Sequence, residues 1–274
     1  MIKIIGFKSG LGNQMFQYAL FLALKHKYPH CLFAWNIKGS KGEHYGFELF
    51  KIFKIGRKYR LSYLFLKLIG IPKKSAVIFQ SGNDSLTYHH SVLGHQPRLC
   101  KYEGYWQSEK YFEDVKPLVL EKFQFKTNLL NGKTRKLADS LDKGMYCSIH
   151  VRRGDYLRDP EFNTCSTDYF LRAIALVREK TGCSSFCVFS DDITWVRANI
   201  PLSDALYVDW NCGSDSWQDM YLMSRCSHNI IANSSFSWWG AWLNTNPDKT
   251  VVAPKVWFAS QPVGDIVPDG WIRI

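Results

Sequence analysis

The sequence predicts an α/β protein built on parallel sheets, and three observations carry this expectation. Between residues 146 and 253, short apolar runs rich in β-branched and aromatic residues alternate with segments of helical periodicity. A β-α-β pattern opens the chain: an apolar run at residues 2–7, a glycine-bearing turn (Ser9, Gly10, Leu11, Gly12), a helix, and a second run at 32–35. The composition, 46% hydrophobic and 22% charged over 274 residues, excludes disorder and leaves length for two cores.

Taken in order, the first helix has Asn13 as its expected cap, and Met15, Phe16, Ala19, Leu20, Ala23 and Leu24 recur on one face. Residues 36–140 carry no clear period. One stretch there stands out: 51–74 holds eight basic residues and no acid, interleaved with Ile, Phe, Leu and Tyr. It reads either as a surface for an anionic membrane or as a solvated basic helix face. In the second half, strands are expected at 146–151, 186–190, 206–208, 229–232 and 250–253. Helices are expected at about 168–180, 193–199, 215–225 and 236–244. Such a doubly wound sheet takes ligands beyond the carboxyl ends of its strands. The expected division is a domain of residues 1–140 and another of 141–274.

With 35 Lys and Arg against 24 Asp and Glu, the net charge of +11 calls for an anionic partner: nucleotide, lipid or nucleic acid. No nucleic-acid module accompanies the charge, so nucleic acid is not expected. The eight cysteines are scattered, without a C-x-x-C pair, and Cys147 and Cys187 fall inside apolar runs. Free thiols in a reducing cytoplasm are therefore expected. The opening apolar run is too short for a signal peptide, and no stretch reaches the roughly 18 apolar residues of a membrane span.

The candidate chemistry sits at three strand ends. The first carries His150, Val151, Arg152, Arg153, Gly154, Asp155 and Tyr156. Two guanidinium forks beside a glycine suit a phosphate or pyrophosphate, the alternative being salt bridges to Asp155 or Asp159. The second ends in Asp191 and Asp192, of which one can cap the next helix and the other can accept from guanine or ribose. The third ends in Asn233, Ser234, Ser235, Phe236 and Ser237 before a Trp-rich segment, where hydroxyls and helix-terminal amides favour an anion. Their coincidence on one sheet edge predicts a nucleotide diphosphate site.

Other donor classes are disfavoured. Met15 stands where the third glycine of G-x-G-x-x-G belongs, no G-x-x-x-x-G-K-[ST] occurs, and no D-x-D pair or His/Cys cluster has ligand spacing. Arginines rather than a metal are thus expected to meet the diphosphate charge.

The run HVRRGDY at 150–156 resembles the H-x-R-R-x-D-Y motif of α-1,2-fucosyltransferases of glycosyltransferase family 11. GLGNQMFQYA (10–19), GYWQSEKYF (104–112), FSDD (189–192) and NSSFSWWGAW (233–242) are similar to further blocks of that family, in the same order along nearly the whole chain. The resemblance implies a GT-B architecture of two Rossmann-like domains facing across a cleft, GDP-β-L-fucose as donor, a terminal β-galactoside acceptor, inversion, and no metal or other cofactor. It implies that Arg152 and Arg153 stabilise the departing diphosphate and that Ser234, Ser235 and Ser237 complete its cradle, with Phe236 and Gly12 also at the donor. Asp191 or Asp192 would hold guanine or ribose, His150 would act through its backbone or orient the guanosine, and Asn13 would lie near the reacting centre. For the acceptor proton, Asp155 is the first candidate base, though it can equally serve to orient an arginine; Glu103, Glu109 and Glu161 are weaker ones. Linkage to a 6-hydroxyl, or a non-catalytic nucleotide- or lipid-binding protein, are the alternatives.

Overall fold

The computed structural model describes residues 1–37, 45–80, 86–203, 205–261 and 264–274. The chain divides into two compact units, Met1–Lys126 with Gly264–Ile266, and Thr127–Val263 with Val267–Ile274.

The first unit runs β1 (Ile2–Phe7), α1 (Leu11–Lys27), β2 (Leu32–Ile37), α2 (Leu49–Ile52), α3 (Lys58–Leu68), β3 (Ala76–Phe79), β4 (Leu99–Glu103) and α4 (Lys116–Lys122). Its strands pair in parallel in the order β2-β1-β4-β3. Helix α1 departs from expectation in two ways. Gly10, in extended backbone, is its N-cap, which leaves Asn13 inside the first turn. Nor does it present a single apolar face: nearly every residue from Leu11 to Leu24 is buried, Gln14 and Gln17 included. A second aromatic layer covers its outer side, with Tyr18 5.5 Å from Phe123 and Phe16 6.3 Å from Phe112. The two glutamines are satisfied by backbone. Gln14 donates to the carbonyls of Ser9 and Gly46 at 2.8 and 2.7 Å, and Gln17 donates to that of Gly104 at 3.0 Å.

The second unit runs α5 (Gly132–Leu141), β5 (Tyr146–Val151), α6 (Thr167–Thr181), β6 (Ser185–Ser190), α7 (Ile193–Asn199), β7 (Ala205–Val208), α8 (Trp217–Arg225), β8 (His228–Ile230), α9 (Ser235–Trp242), β9 (Val251–Ala253) and β10 (Ile272–Arg273). All strands are parallel, in the order β10-β9-β8-β5-β6-β7. From β5 the chain winds outward through β6 and β7, then returns to the other side of β5 for β8, so the order reverses between β5 and β8. That reversal is where open α/β sheets take ligands.

The boundary falls at Lys126/Thr127 and not at 140/141. Helix α5 belongs to the second unit because its apolar stripe has its cover there: Ala138 and Leu141 pack with Cys187, Phe189, Val208 and Leu222. Cys147 and Cys187 are core thiols, and all eight cysteines are free. Among the described residues, no helix is long and apolar enough to cross a membrane.

Candidate functional site

At the carboxyl end of β5, Arg152 and Arg153 are held by carboxylates from two directions. Arg152 Nη2 lies 2.7 Å from Asp155 Oδ1, and its Nη1 lies 3.1 Å from Asp191 Oδ2. The other oxygen of Asp191 accepts the backbone N–H of Arg153 at 2.9 Å. Arg153 Nε donates to Asp192 Oδ2 at 3.2 Å, and its guanidinium lies 3.6 Å from the centre of the Trp195 ring. Asp192 has a second task as N-cap of α7, accepting from the Trp195 N–H at 3.0 Å. The arginines thus pair with Asp155, Asp191 and Asp192. Gly154 allows this geometry, since a Cβ there would lie 2.6 Å from Asp191 Oδ2.

His150 is 6% exposed, and burial, reinforced by Arg152, pushes its imidazole down to about 3. Burial thus favours the neutral imidazole. The Phe236 ring covers it at 5.7 Å, and its Nδ1 is buried without a hydrogen-bond partner. The sign of its contribution to stability follows. Unfolding restores the ordinary affinity for a proton, so the unfolded state binds more protons between about pH 6.5 and 3, and stability falls as pH drops through that window. The expected slope is at most roughly 1.4 kcal/mol per pH unit. His150→Gln is expected to have a flatter melting temperature against pH than the wild type across that window. Parallel curves would count against a buried neutral histidine.

At the end of β8, the hydroxyls mostly serve the turn. Ser234 is the N-cap of α9 and its Oγ accepts from the Phe236 N–H at 3.3 Å. Ser237 is buried and donates to the carbonyls of Ala232 and Ser234 at 3.4 and 3.3 Å. Ser235 is half-buried in the first turn, where helix-terminal amides present partial positive charge. Asn233 is structural: its amide donates to the carbonyls of Phe162 and Trp257, each at 2.8 Å. Tyr156, whose phenol burial pushes up to about 12, donates to the carbonyl of Asn233 at 3.3 Å and so ties the β5 end to the β8 end.

On the first unit, Asn13 Nδ2 donates to Ser9 Oγ at 3.0 Å, and Gln107 Nε2 donates to Asn13 Oδ1 at 2.7 Å. This joins the turn after β1 to the loop after β4, with Gly12 buried beside it. Of the weaker base candidates, Glu103 pairs with Lys101, and Glu161 accepts from the Ser260 hydroxyl at 2.8 Å; Glu109 is half-buried in a 3-10 turn.

The residues expected from the sequence that the second unit brings together are His150, Arg152, Arg153, Asp155, Asp191, Asp192, Ser234, Ser235, Phe236 and Ser237. Asn13 and Gly12 belong to the first unit. Trp195, Tyr156 and Gln107 take parts for which the sequence alone assigns no role. Trp195 has a legible signal, since it stands three residues after the capping Asp192, where its backbone N–H must meet the cap. Among the described residues, no group of three or more His, Cys, Asp or Glu side chains is arranged to hold a metal ion.

The chain is similar to known proteins. The chain is 32% identical to an α-1,2-colitosyltransferase of Escherichia coli over 292 aligned positions, covering all of this chain and 99% of that protein. It is 37% identical over 184 positions to the O-antigen biosynthesis glycosyltransferase WbnK of Escherichia coli, covering 62% of this chain and 59% of that one. The crystal structure of the fucosyltransferase NodZ from Bradyrhizobium superposes with a TM-score of 0.53 over 87% of this chain and 92% of NodZ, at 13% identity. That likeness shows the shared α/β fold with parallel sheets. The model of glycosyl transferase family 11 matches residues 85–274, the stretch that holds the arginine pair, the aspartate pair and the serine turn. With that match and a relative aligned along its whole length, the chain belongs to glycosyltransferase family 11.

Proposed function

We propose that this glycosyltransferase moves L-fucose from GDP-β-L-fucose to the 2-hydroxyl of a terminal β-galactoside in a surface glycan such as O-antigen or capsule, with inversion and without a metal. The observation that carries the reading is the pair of guanidinium groups held at the β5–β8 reversal, beside the amino end of α9. Transfer builds negative charge on the departing diphosphate, and preorganised positive charge there lowers the barrier. Arg152 turns toward the phosphate oxygens, a role that its two carboxylate pairings at the strand end support. Arg153, clamped by Asp192 and Trp195, is the more fixed of the two and keeps the loop in shape. Ser235 and the first amides of α9, with Ser234 and Ser237 shaping the turn, close the cradle. His150 and Phe236 border the guanosine, and Asp191 or Asp192 meets guanine or ribose through carboxylate lone pairs that the arginines leave. The pairing of Asp155 with Arg152 supports a positioning role for it ahead of proton acceptance. Asn13 and Gly12 serve the sugar being transferred and its acceptor.

The donor is supported by NodZ α-1,6-fucosyltransferase soaked with GDP-fucose, whose structure superposes with a TM-score of 0.51. A second reading, a colitosyl donor, is favoured by the relative aligned over the whole chain. Colitose lacks the 3-hydroxyl of fucose, so the two donors differ by one polar contact. The proposal also has the protein working in the cytoplasm, with residues 51–74 against the membrane and the acceptor glycan on a lipid carrier. Incubation of the protein with lactose and GDP-fucose is expected to give the α-1,2-fucosylated product, identified by NMR and undiminished by EDTA, whereas GDP-colitose in its place is expected to give no product. Transfer from GDP-colitose alone would replace the donor. GDP binding without product on a broad acceptor panel would replace the enzyme with a nucleotide-binding protein.

A further inference from the structure

Helix α3 has two apolar stripes on opposite sides. Tyr59, Tyr63 and Leu66, at i, i+4 and i+7, face the unit's core. Leu66 packs with Ile4 and Ala34, Tyr63 lies against the same cluster, and the Tyr59 ring is 5.0 Å from Phe21 and 5.2 Å from Trp35. The other stripe, Leu61, Leu64, Phe65 and Leu68 at i, i+3, i+4 and i+7, faces outward, with each residue between 49% and 86% exposed. Ile69 extends it at 56% exposure. A helix that has already buried one face has no folding reason to carry a second.

Cations border the outward stripe. Residues 51–74 contain eight Lys and Arg and no acid. Lys51, Arg57 and Arg60 line a cavity of about 500 Å³ together with Ile37, Phe47 and Phe50, and the Arg57 guanidinium lies 5.3 Å from the centre of the Phe50 ring. Lys73 and Lys74 follow in the next turn. A second copy of the chain would bring the same positive charge against these cations. A bilayer bearing anionic headgroups neutralises them and takes up the apolar side chains together.

From this arrangement we infer that the outward face of α3 docks the protein on an anionic phospholipid bilayer. Leu61, Leu64, Phe65 and Leu68 enter the boundary between headgroups and acyl chains, and Lys51, Arg57 and Arg60 take lipid phosphates. This deepens the membrane contact proposed above and rests on that part of the reading, but it does not depend on which sugar is transferred. Docking here would hold the enzyme at the surface where a lipid-carried acceptor is presented.

Co-sedimentation of the full chain with vesicles of phosphatidylcholine, with and without phosphatidylglycerol, tests this directly. Wild-type protein is expected to partition onto phosphatidylglycerol vesicles about tenfold or more better than onto phosphatidylcholine alone, and to lose that preference at high salt. Phe65→Glu with Leu68→Glu is expected to lose binding to both, and Arg57→Ala with Arg60→Ala to lose about tenfold on the anionic vesicles. Because both pairs leave the inward stripe intact, the melting temperature and the rate on soluble lactose with GDP-fucose are expected to stay at wild-type values. A Phe65→Trp variant supplies a readout that does not depend on a destabilising change: its fluorescence, as a difference from the wild type, is expected to shift to the blue on anionic vesicles. Unchanged binding by the Glu pair, no preference for phosphatidylglycerol, or an unshifted difference spectrum for Phe65→Trp would overturn the inference. So would a dimer, seen by ultracentrifugation, that the Glu pair dissociates. Vesicle binding without any transferase activity would instead retain the docking face and remove the proposed reaction.

Discussion

Arg152→Ala is expected to reduce the rate of fucosyl transfer by about 10²- to 10³-fold or more while leaving the protein folded. The guanidinium is one of two positive groups held at the sheet reversal, and its Asp155 and Asp191 pairings keep it where, in the proposed reaction, diphosphate charge develops. Its side chain is 33% exposed, so the stabilisation from those pairings is screened, and a loss of about 1 kcal/mol or less is expected in thermal unfolding. Arg152→Lys is not expected to restore the rate, because a single ammonium cannot reproduce two-point contact with phosphate oxygens. The check is steady-state kinetics of GDP release with an independent melting curve. Transfer within tenfold of wild type in the alanine variant would remove Arg152 from the centre of the mechanism.

Gly154→Ala is expected to cost about 10²-fold in kcat/KM without touching any group that carries charge. The added methyl would sit 2.6 Å from Asp191 Oδ2, a distance that forces the carboxylate to turn away. Asp191 holds both the Arg152 side chain and the Arg153 backbone, so displacing it loosens both arginines together. The same logic makes the effects of Gly154→Ala and Asp191→Ala strongly non-additive. The double variant is expected to be little worse than Asp191→Ala alone, since one cause acts through the other. Full additivity, or a Gly154→Ala enzyme within about twofold of wild type, would show that Asp191 is not the link.

The second unit is legible in the sequence far more completely than the first. Helices α6 and α7 follow the 3.6-residue period closely, and strands β5, β6 and β9 are apolar runs bounded by polar turns, because a sheet covered on both faces demands such runs. The first unit obeys other rules. Strand β3 is four largely exposed residues, so it carries no burial pattern to detect. Helix α1 is buried all round, and the core near Trp35 is assembled from rings of Phe7, Tyr18, Phe21 and Tyr59 contributed by distant segments. Helix α5 falls on the other side of the expected boundary for a similar reason: its period shows that it needs a partner, but the identity of that partner is a long-range fact.

Residue types and their order were enough to expect α/β architecture, an arginine pair facing an anion, and the family, because local periodicity and short motifs are properties of neighbouring residues. Which carboxylate holds which arginine depended on folding. Asp155 is three residues from Arg152, but Asp191 and Asp192 reach the arginines only because β5 and β6 pair in parallel and bring their carboxyl ends level. The lowered proton affinity of His150 was likewise invisible in HVRRGDY, since it arises from the desolvation imposed by the packed site around it. The basic run at 51–74 was plain in one dimension, whereas the division of α3 into an inward and an outward stripe required the sheet that covers only one of them.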